Sequence, residues 1–258
     1  MTNPDLLRGE ALFTADSRAP GLLHLYFVRS QYAAARIVAV QTDEAKAFPG
    51  VVAVFCADDL AIIPVWEIAL LPEDFAQPPL ARNLVRYVGE KVVAIVAESP
   101  AIAIDAAELV VIEYEPLPAL TDMRAVGLDT SPVLFSEHPS NVCLQWPSDN
   151  PHPDLTGTDV VASVSHLIPR VSCAPIEGHA IVATPLPDGR LEIVVSTQVP
   201  VAAQRQIARS LQLELSDVRV VVPNVGGGFG GKAAGGICEH VVVAAAARAL
   251  GRSVSFIE

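Results

Sequence analysis

The chain has 258 residues, half of them hydrophobic, with 17 Lys and Arg against 29 Asp and Glu and a formal net charge of −12. That length suits one large core or two modest ones, and so acidic a balance excludes a nucleic-acid footprint, which needs clustered basic residues to neutralise phosphate. The opening MTNPDLLRGEALFTADSR lacks a basic stretch followed by an apolar one, and no run reaches the ~18 apolar residues of a membrane span, so a cytoplasmic protein is expected.

From Gly21 to Tyr114, strand-like runs alternate with helical ones. LLHLYFVRS and RIVAVQ are followed by a helical TDEAKAF, stopped by Pro49 and Gly50, and then by VVAVFCADDL. RYVGEKVVAIVAE leads to a helix start at Ser99-Pro100, then AIAIDAAELV and VIEYEPLP. This alternation predicts a mixed α/β domain rather than an all-β one. Between Pro116 and Asp159 the apolar periodicity fades into a Pro-, Ser-, Asp- and Asn-rich stretch, the composition of a connection. Val142, Leu144 and Trp146 would be costly to leave in water, so an ordered connection is expected. The predicted division is 1–120, a connection over 121–159, and a second domain over 160–258.

The second domain opens with VVASVSHLIPRVSCAP. AIVATPLPDGRLEIVVSTQ follows, with a hairpin signal at Asp188-Gly189. LEIVVSTQ leads into a helix opened by Pro200, where the missing N–H costs nothing. VRVVVP leads through a glycine run into ICEHVVVAAAARAL, closed by Gly251. If the two strands are parallel neighbours, Gln198 and the glycine run lie beyond the same strand ends, where α/β sheets place ligands.

The glycine run, Gly226 to Gly231 with only Phe229 interrupting it, fits several patterns because it is so rich in glycine. As a phosphate loop ending in Lys232 it lacks the Ser or Thr that holds magnesium, since the next residue is Ala233. As a dinucleotide fingerprint it should open a βαβ unit with an acidic residue about 20 positions on, whereas the sequence reaches Glu258 shortly after one further strand, so this reading is weaker still. A third reading is a turn that only lets strand and helix pack closely. Phe229 among glycines argues for a loop of fixed shape, its ring against a partner and its bare N–H groups facing a ligand, beside a helix N-terminus that favours anions. His24, His166 and His179 lie near apolar neighbours and suit hydrogen-bonded structural roles. The four cysteines, Cys56, Cys143, Cys173 and Cys238, lack metal-site spacing and read as free thiols.

VGGGFGGK, preceded by STQ and by RVSCAPIEGHAIV, resembles the molybdenum-binding large subunit of the xanthine dehydrogenase and aldehyde oxidase family. GEALFTAD, PGLLHLYFVRSQYAAARI, FPGVVAVFCADDL, RYVGEKVVAIVAES and AAELVVIEYEPLPA resemble that family's α/β hammerhead domain, so the likeness runs along nearly the whole chain. It implies an α/β hammerhead domain followed by the first part of a molybdopterin-binding domain. It also implies that the Gln198 amide lies beside the metal's apical oxygen, that Gly227, Gly228, Phe229 and Gly230 bring backbone to the metal's ligands and the pterin, and that the Phe229 backbone is near the metal. The cofactor implied is molybdenum-molybdopterin, in the cytosine dinucleotide form if the source is bacterial, with FAD and 2Fe-2S clusters on partner chains. The implied chemistry is oxidation of aldehydes or aromatic heterocycles with oxygen from water.

Three departures qualify the resemblance. Ala233 stands where purine-oxidising members place a substrate-binding glutamate. Ile176, Glu177, Gly178 and His179 replace a Met-Glu-Pro-Arg-like turn. Family large subunits continue for several hundred residues beyond the equivalent of SVSFIE, a part that carries the general base, so Glu177 and Glu239 read as structural. The expectation is either a chain completed by a second polypeptide or a fragment of a longer protein, its terminal VSFI an exposed edge that invites association. The alternatives are a non-catalytic docking subunit and a phosphate- or nucleotide-binding protein using Gly226–Lys232.

Overall fold

A computed structural model describes residues 4–65, 71–136, 138–144, 155–169, 171–233 and 237–258. The first part comprises α1 (Pro4–Arg8), β1 (Leu23–Arg29), β2 (Ala35–Gln41), α2 (Asp43–Ala47), β3 (Val51–Phe55), β4 (Leu84–Val85), β5 (Lys91–Ala97), α3 (Pro100–Ala107) and β6 (Val111–Pro116). The second comprises β7 (Ala180–Pro185), β8 (Leu191–Val195), α4 (Pro200–Ser210), β9 (Val218–Val221), α5 (Cys238–Leu250) and β10 (Val254–Ile257). The fold is mixed α/β, and none of its described helices is long and apolar enough to cross a membrane.

Strands from both ends of the chain share one sheet, in the order β3-β5-β1-β10-β7-β8-β9, while β4, β2 and β6 form a small separate sheet. The joint is the parallel pair β1 and β10, with Leu23 opposite Val254 and His24 opposite Ser255. Ser255 Oγ and His24 Nδ1 are 3.0 Å apart across it, which gives that histidine a structural role. The apolar run VSFI is therefore an interior strand, paired with β1 on one side and β7 on the other. The expectation that it forms an exposed edge is overturned: its apolar side chains are matched by β1 and by α5, and the sheet edges are β3 and β9.

β5 shows how sequence sets the layers. All seven of its residues are buried, because alternate side chains serve two cores. Ala94 and Val96 join Leu23, Leu25 and Phe27 of β1 in the core beneath α4 and α5. Val93, Ile95 and Ala97 face the core that holds α2 and α3. α3 begins where Ser99 Oγ accepts from the Ile102 amide, with Pro100 at the first helical position. α5 ends on Gly251 in the left-handed conformation, φ 63°. Among the described residues the stretch from Leu117 to His179 has no strand or α-helix. Val142 and Leu144 remain 44% and 45% exposed, contrary to the expectation that the connection buries them; Trp146 lies outside the described residues.

Glu239, in the first turn of α5, ties that helix to the first part of the chain. Its carboxylate accepts from Arg29 at 3.0 Å and lies 3.4 Å from the buried Lys91 ammonium. Burial pushes this carboxyl up, but Lys91, the helix-terminal amide and Arg29 together hold it below the usual carboxylate range. A lowered folded-state pKa contributes stability that is fully present above the unfolded value, about 4.3, and is lost as pH falls through the folded value. Glu239→Gln leaves Lys91 buried without its counter-charge, so it is expected to cost about 2–4 kcal/mol at pH 7. Denaturant titrations of both forms should show the gap narrowing as pH drops below 4; a gap independent of pH refutes this role.

Candidate cofactor site

The parallel register of β8 and β9, Leu191 with Val218 through Val194 with Val221, carries both chains out at the same end of the sheet. Gln198 follows β8 and the glycine run follows β9, so the structure brings together the residues that sequence order linked. The glycine run curves over Gln198. Gln198 N and Thr197 Oγ1 both donate to the Lys232 carbonyl, at 3.0 and 3.2 Å. In return Gln198 Oε1 accepts from the amides of Gly230 and Lys232, at 3.1 and 3.3 Å. Two N–H donors fix the oxygen toward the loop, so the amide Nε2 is turned away from it, a neutral donor on an exposed residue.

The loop's shape depends on its composition. Gly227 and Gly230 take φ of 102° and 86°, and Phe229 takes 49°, a region large side chains rarely enter. Gly228 packs so closely on Gln198 that a Cβ there would come within 2.6 Å of Cδ. A Cβ on Gly226 would sit 2.6 Å from the Glu177 Cβ. These contacts leave the amides of Gly227, Gly228 and Phe229, three in succession, without a hydrogen bond among the described residues. Consecutive bare amides in such a turn form an anion-binding concavity. Phe229 is 76% exposed, with its ring close to Gly227, where a ring held against a partner was expected.

Beneath the loop lies a buried polar cluster. Glu177 Oε2 accepts from the Gly226 amide at 2.7 Å, from Ser196 Oγ at 2.6 Å and from Lys232 Nζ at 2.9 Å. Lys232 Nζ also donates to the Glu177 carbonyl and to Ser196 Oγ. Burial pushes the Glu177 carboxyl up, but Ser196, the Gly226 amide and Lys232 outweigh it and the carboxylate is held ionised. The lysine side chain is 1% exposed and its donors are all engaged. That removes the phosphate- and nucleotide-loop reading of Gly226–Lys232, in which the ammonium must project toward the phosphates.

Phe13 forms a bridge with Asn224, and Asn224 donates to the Leu12 carbonyl, so the N-terminal GEALFTAD motif braces the strand that enters the loop. On the other side Cys173 Sγ donates to the Phe229 carbonyl at 3.3 Å. A cavity of about 450 Å³ opens there, lined by Cys173, Pro175, His179, Gly231, Lys232 and Glu258. The altered turn at Gly178 also has a physical account: a Cβ there would press within 3.1 Å of Glu258, which hydrogen-bonds His179 through both backbone and side chain. His240, on α5, carried no signal in the sequence. Among the described residues neither of its ring nitrogens has a hydrogen-bond partner, and burial, then His179, push it down to about 3, so it is neutral. His166 is exposed and takes no part in the site.

A glycine loop and a glutamine amide beyond the same ends of the parallel strands β8 and β9, joined through one sheet to an α/β unit, suit a cofactor-cradling class of protein better than a nucleotide hydrolase. Residues 134–258 match the molybdopterin cofactor-binding domain, and residues 8–118 match the aldehyde oxidase and xanthine dehydrogenase a/b hammerhead domain. The chain belongs to the xanthine dehydrogenase and aldehyde oxidase family. It is 35% identical to the 6-hydroxypseudooxynicotine dehydrogenase complex subunit gamma of Paenarthrobacter nicotinovorans, over 98% of this chain and 33% of that one. Identity to the carbon monoxide dehydrogenase large chain of Hydrogenophaga pseudoflava is 31%, over 98% and 33%. The crystal structure of quinoline 2-oxidoreductase from Pseudomonas putida 86 superposes with a TM-score of 0.88 at 33% identity, covering 99% of this chain and 33% of that one. The chain thus spans about a third of the length of these relatives.

The close approach of Gly228 to Gln198 can be measured. Gly228→Ala is expected to expel the glutamine side chain and its two amide bonds, costing about 1–3 kcal/mol. In a Gln198→Ala background the clash is gone, so the same substitution should cost much less, giving a coupling energy on the order of 1 kcal/mol in a double-mutant cycle. Strict additivity in denaturant unfolding would show that the two residues are not in contact.

Proposed function

We propose that this chain forms part of a molybdenum hydroxylase centre, holding molybdenum-molybdopterin through Gln198, Gly227, Gly228, Phe229 and Gly230, with Gln198 and the Phe229 backbone nearest the metal. The observation that carries the reading is the run of three bare amides, Gly227 to Phe229, set beside a glutamine whose oxygen is already engaged. These are neutral donors. They suit an oxygen- and sulfur-rich anionic group without adding a charge that would compete with it, and the buried contacts at Gly226 and Gly228 leave no room for a Cβ beneath the cradle.

When bound, the cofactor supplies two-electron oxidation with water as the oxygen source. The chain's own residues bind and orient. Gln198 presents its amide, the loop amides anchor the group, and Glu177 and Glu239 stay ionised in ion pairs, so neither is free to accept a substrate proton. In this reading the general base lies outside residues 1–258, as the family resemblance implies, on the polypeptide that supplies the rest of the relatives' length. We divide the chain into a hammerhead domain over 1–120, a connection over 121–159 and the start of the molybdenum domain over 160–258. The substrate class is an aldehyde or aromatic heterocycle, with purines disfavoured by Ala233. The cofactor is assigned the cytosine dinucleotide form, with FAD and 2Fe-2S clusters on partner chains in a cytoplasmic assembly.

The test is the metal and pterin content of the native assembly containing this chain. Stoichiometric molybdenum and pterin are expected, and Gln198→Ala should lower molybdenum occupancy several-fold while the chain remains assembled. An assembly devoid of both leaves the non-catalytic docking role as the better description.

A further inference from the structure

We infer that Lys232 and Glu177 are positioning residues: their buried ion pair, bridged by Ser196, clamps both ends of the glycine loop to one carboxylate oxygen and so presets the bare amides for the cofactor. The inference rests on the proposed function, but its geometry is independent of what the loop binds. Gly226 opens the loop and donates its amide to Glu177 Oε2 at 2.7 Å; Lys232 closes it and donates its ammonium to the same atom at 2.9 Å. Segment 226–232 is therefore a ring fastened at a single point. Ser196 donates to that oxygen and accepts from Lys232, which ties in the strand end two residues before Gln198. The clamp thus fixes the glycine amides and the glutamine amide relative to each other.

Stability alone does not call for this arrangement. Replacing a buried ion pair by apolar side chains of similar volume is often neutral or stabilising. What apolar packing does not supply is direction. An ammonium has three N–H vectors, and here they go to the Glu177 carboxylate, the Glu177 carbonyl and Ser196 Oγ, which leaves Lys232 one orientation. The Glu177 amide also donates to the Gly226 carbonyl at 3.3 Å, so backbone and side chain hold the same register. The lysine charge is spent beneath the loop, on alignment, and does not reach the ligand side.

Two variants in the native assembly separate alignment from stability. Glu177→Leu with Lys232→Met replaces the pair by apolar side chains, and Ser196→Ala removes only the bridge. In both, the melting temperature is expected to stay within a few degrees of the unaltered assembly. Amide hydrogen exchange in the 226–232 segment should rise at least tenfold in the double variant and about threefold in Ser196→Ala, with molybdenum occupancy falling in the same order. Should the double variant fail to fold, Ser196→Ala decides alone. Exchange in 226–232 unchanged in the folded variants, or raised only in step with the rest of the chain, overturns the inference. Absence of molybdopterin from the unaltered assembly would remove the functional reading, while the exchange rates would still decide whether the clamp sets the loop.

Discussion

The parallel pairing of β1 with β10 is the constraint on which the rest depends. It joins strands from opposite ends of the sequence into one sheet, so that β5 and β1 of the first part and β7 and β8 of the second share a single core under α4 and α5. At its outgoing end the loop is held by Lys232, whose ammonium is buried on Glu177 and Ser196, and α5 further on is buried from Cys238 to Ala247 in that core. At the incoming end β9 is hydrogen-bonded to β8, and Asn224 is braced by Leu12. A glycine-rich segment between two such fixed points has little freedom to relax, which is how it can hold Phe229 at a positive φ.

The loop's chemistry follows from what glycine permits. Side chains at 226 or 228 would collide with Glu177 or Gln198, so only bare backbone lets the carboxylate sit beneath the loop and the glutamine beside it. Each polar group then takes a separate task. Glu177 satisfies the ends of the loop, the glutamine oxygen satisfies Gly230 and Lys232, and the amides in between are left over. Successive backbone amides left without partners in such a turn form a concavity suited to an acceptor from outside the chain.

Much of this was legible in the sequence because it rests on local rules. Ser99-Pro100, Pro200 and Gly251 mark helix ends by capping chemistry, and Asp188-Gly189 marks the hairpin by backbone preference. The juxtaposition of Gln198 with the glycine run followed from strand order alone. What escaped was non-local. VSFI looks the same as an edge or an interior strand, and only its pairing with β1, some two hundred residues earlier, distinguishes the two. Lys232 likewise reads as a phosphate ligand until Glu177, far away in sequence, is found beneath it. Phe229 does sit at a positive φ in a loop hydrogen-bonded to Gln198, but periodicity says nothing about where a ring inside a glycine run will point.

The exposed stretch before the site adds a last step. Val160, Val164, Ile168 and Val171 are each three-quarters or more exposed, and Ile176 is fully so, although this segment runs straight into Cys173 and Glu177. Leaving five such side chains in water forfeits roughly 1.5–3 kcal/mol apiece of potential burial, which a chain with an otherwise well-buried core has no structural reason to do. Cys173, in this stretch, lines the open cavity and donates to the Phe229 carbonyl. Of the carboxylates close to the loop, Glu177 is paired with Lys232, and Glu258 accepts from the His179 amide. The stretch thus leads an apolar surface up to the loop, which is what the proposed completion of the site by another stretch of polypeptide would cover.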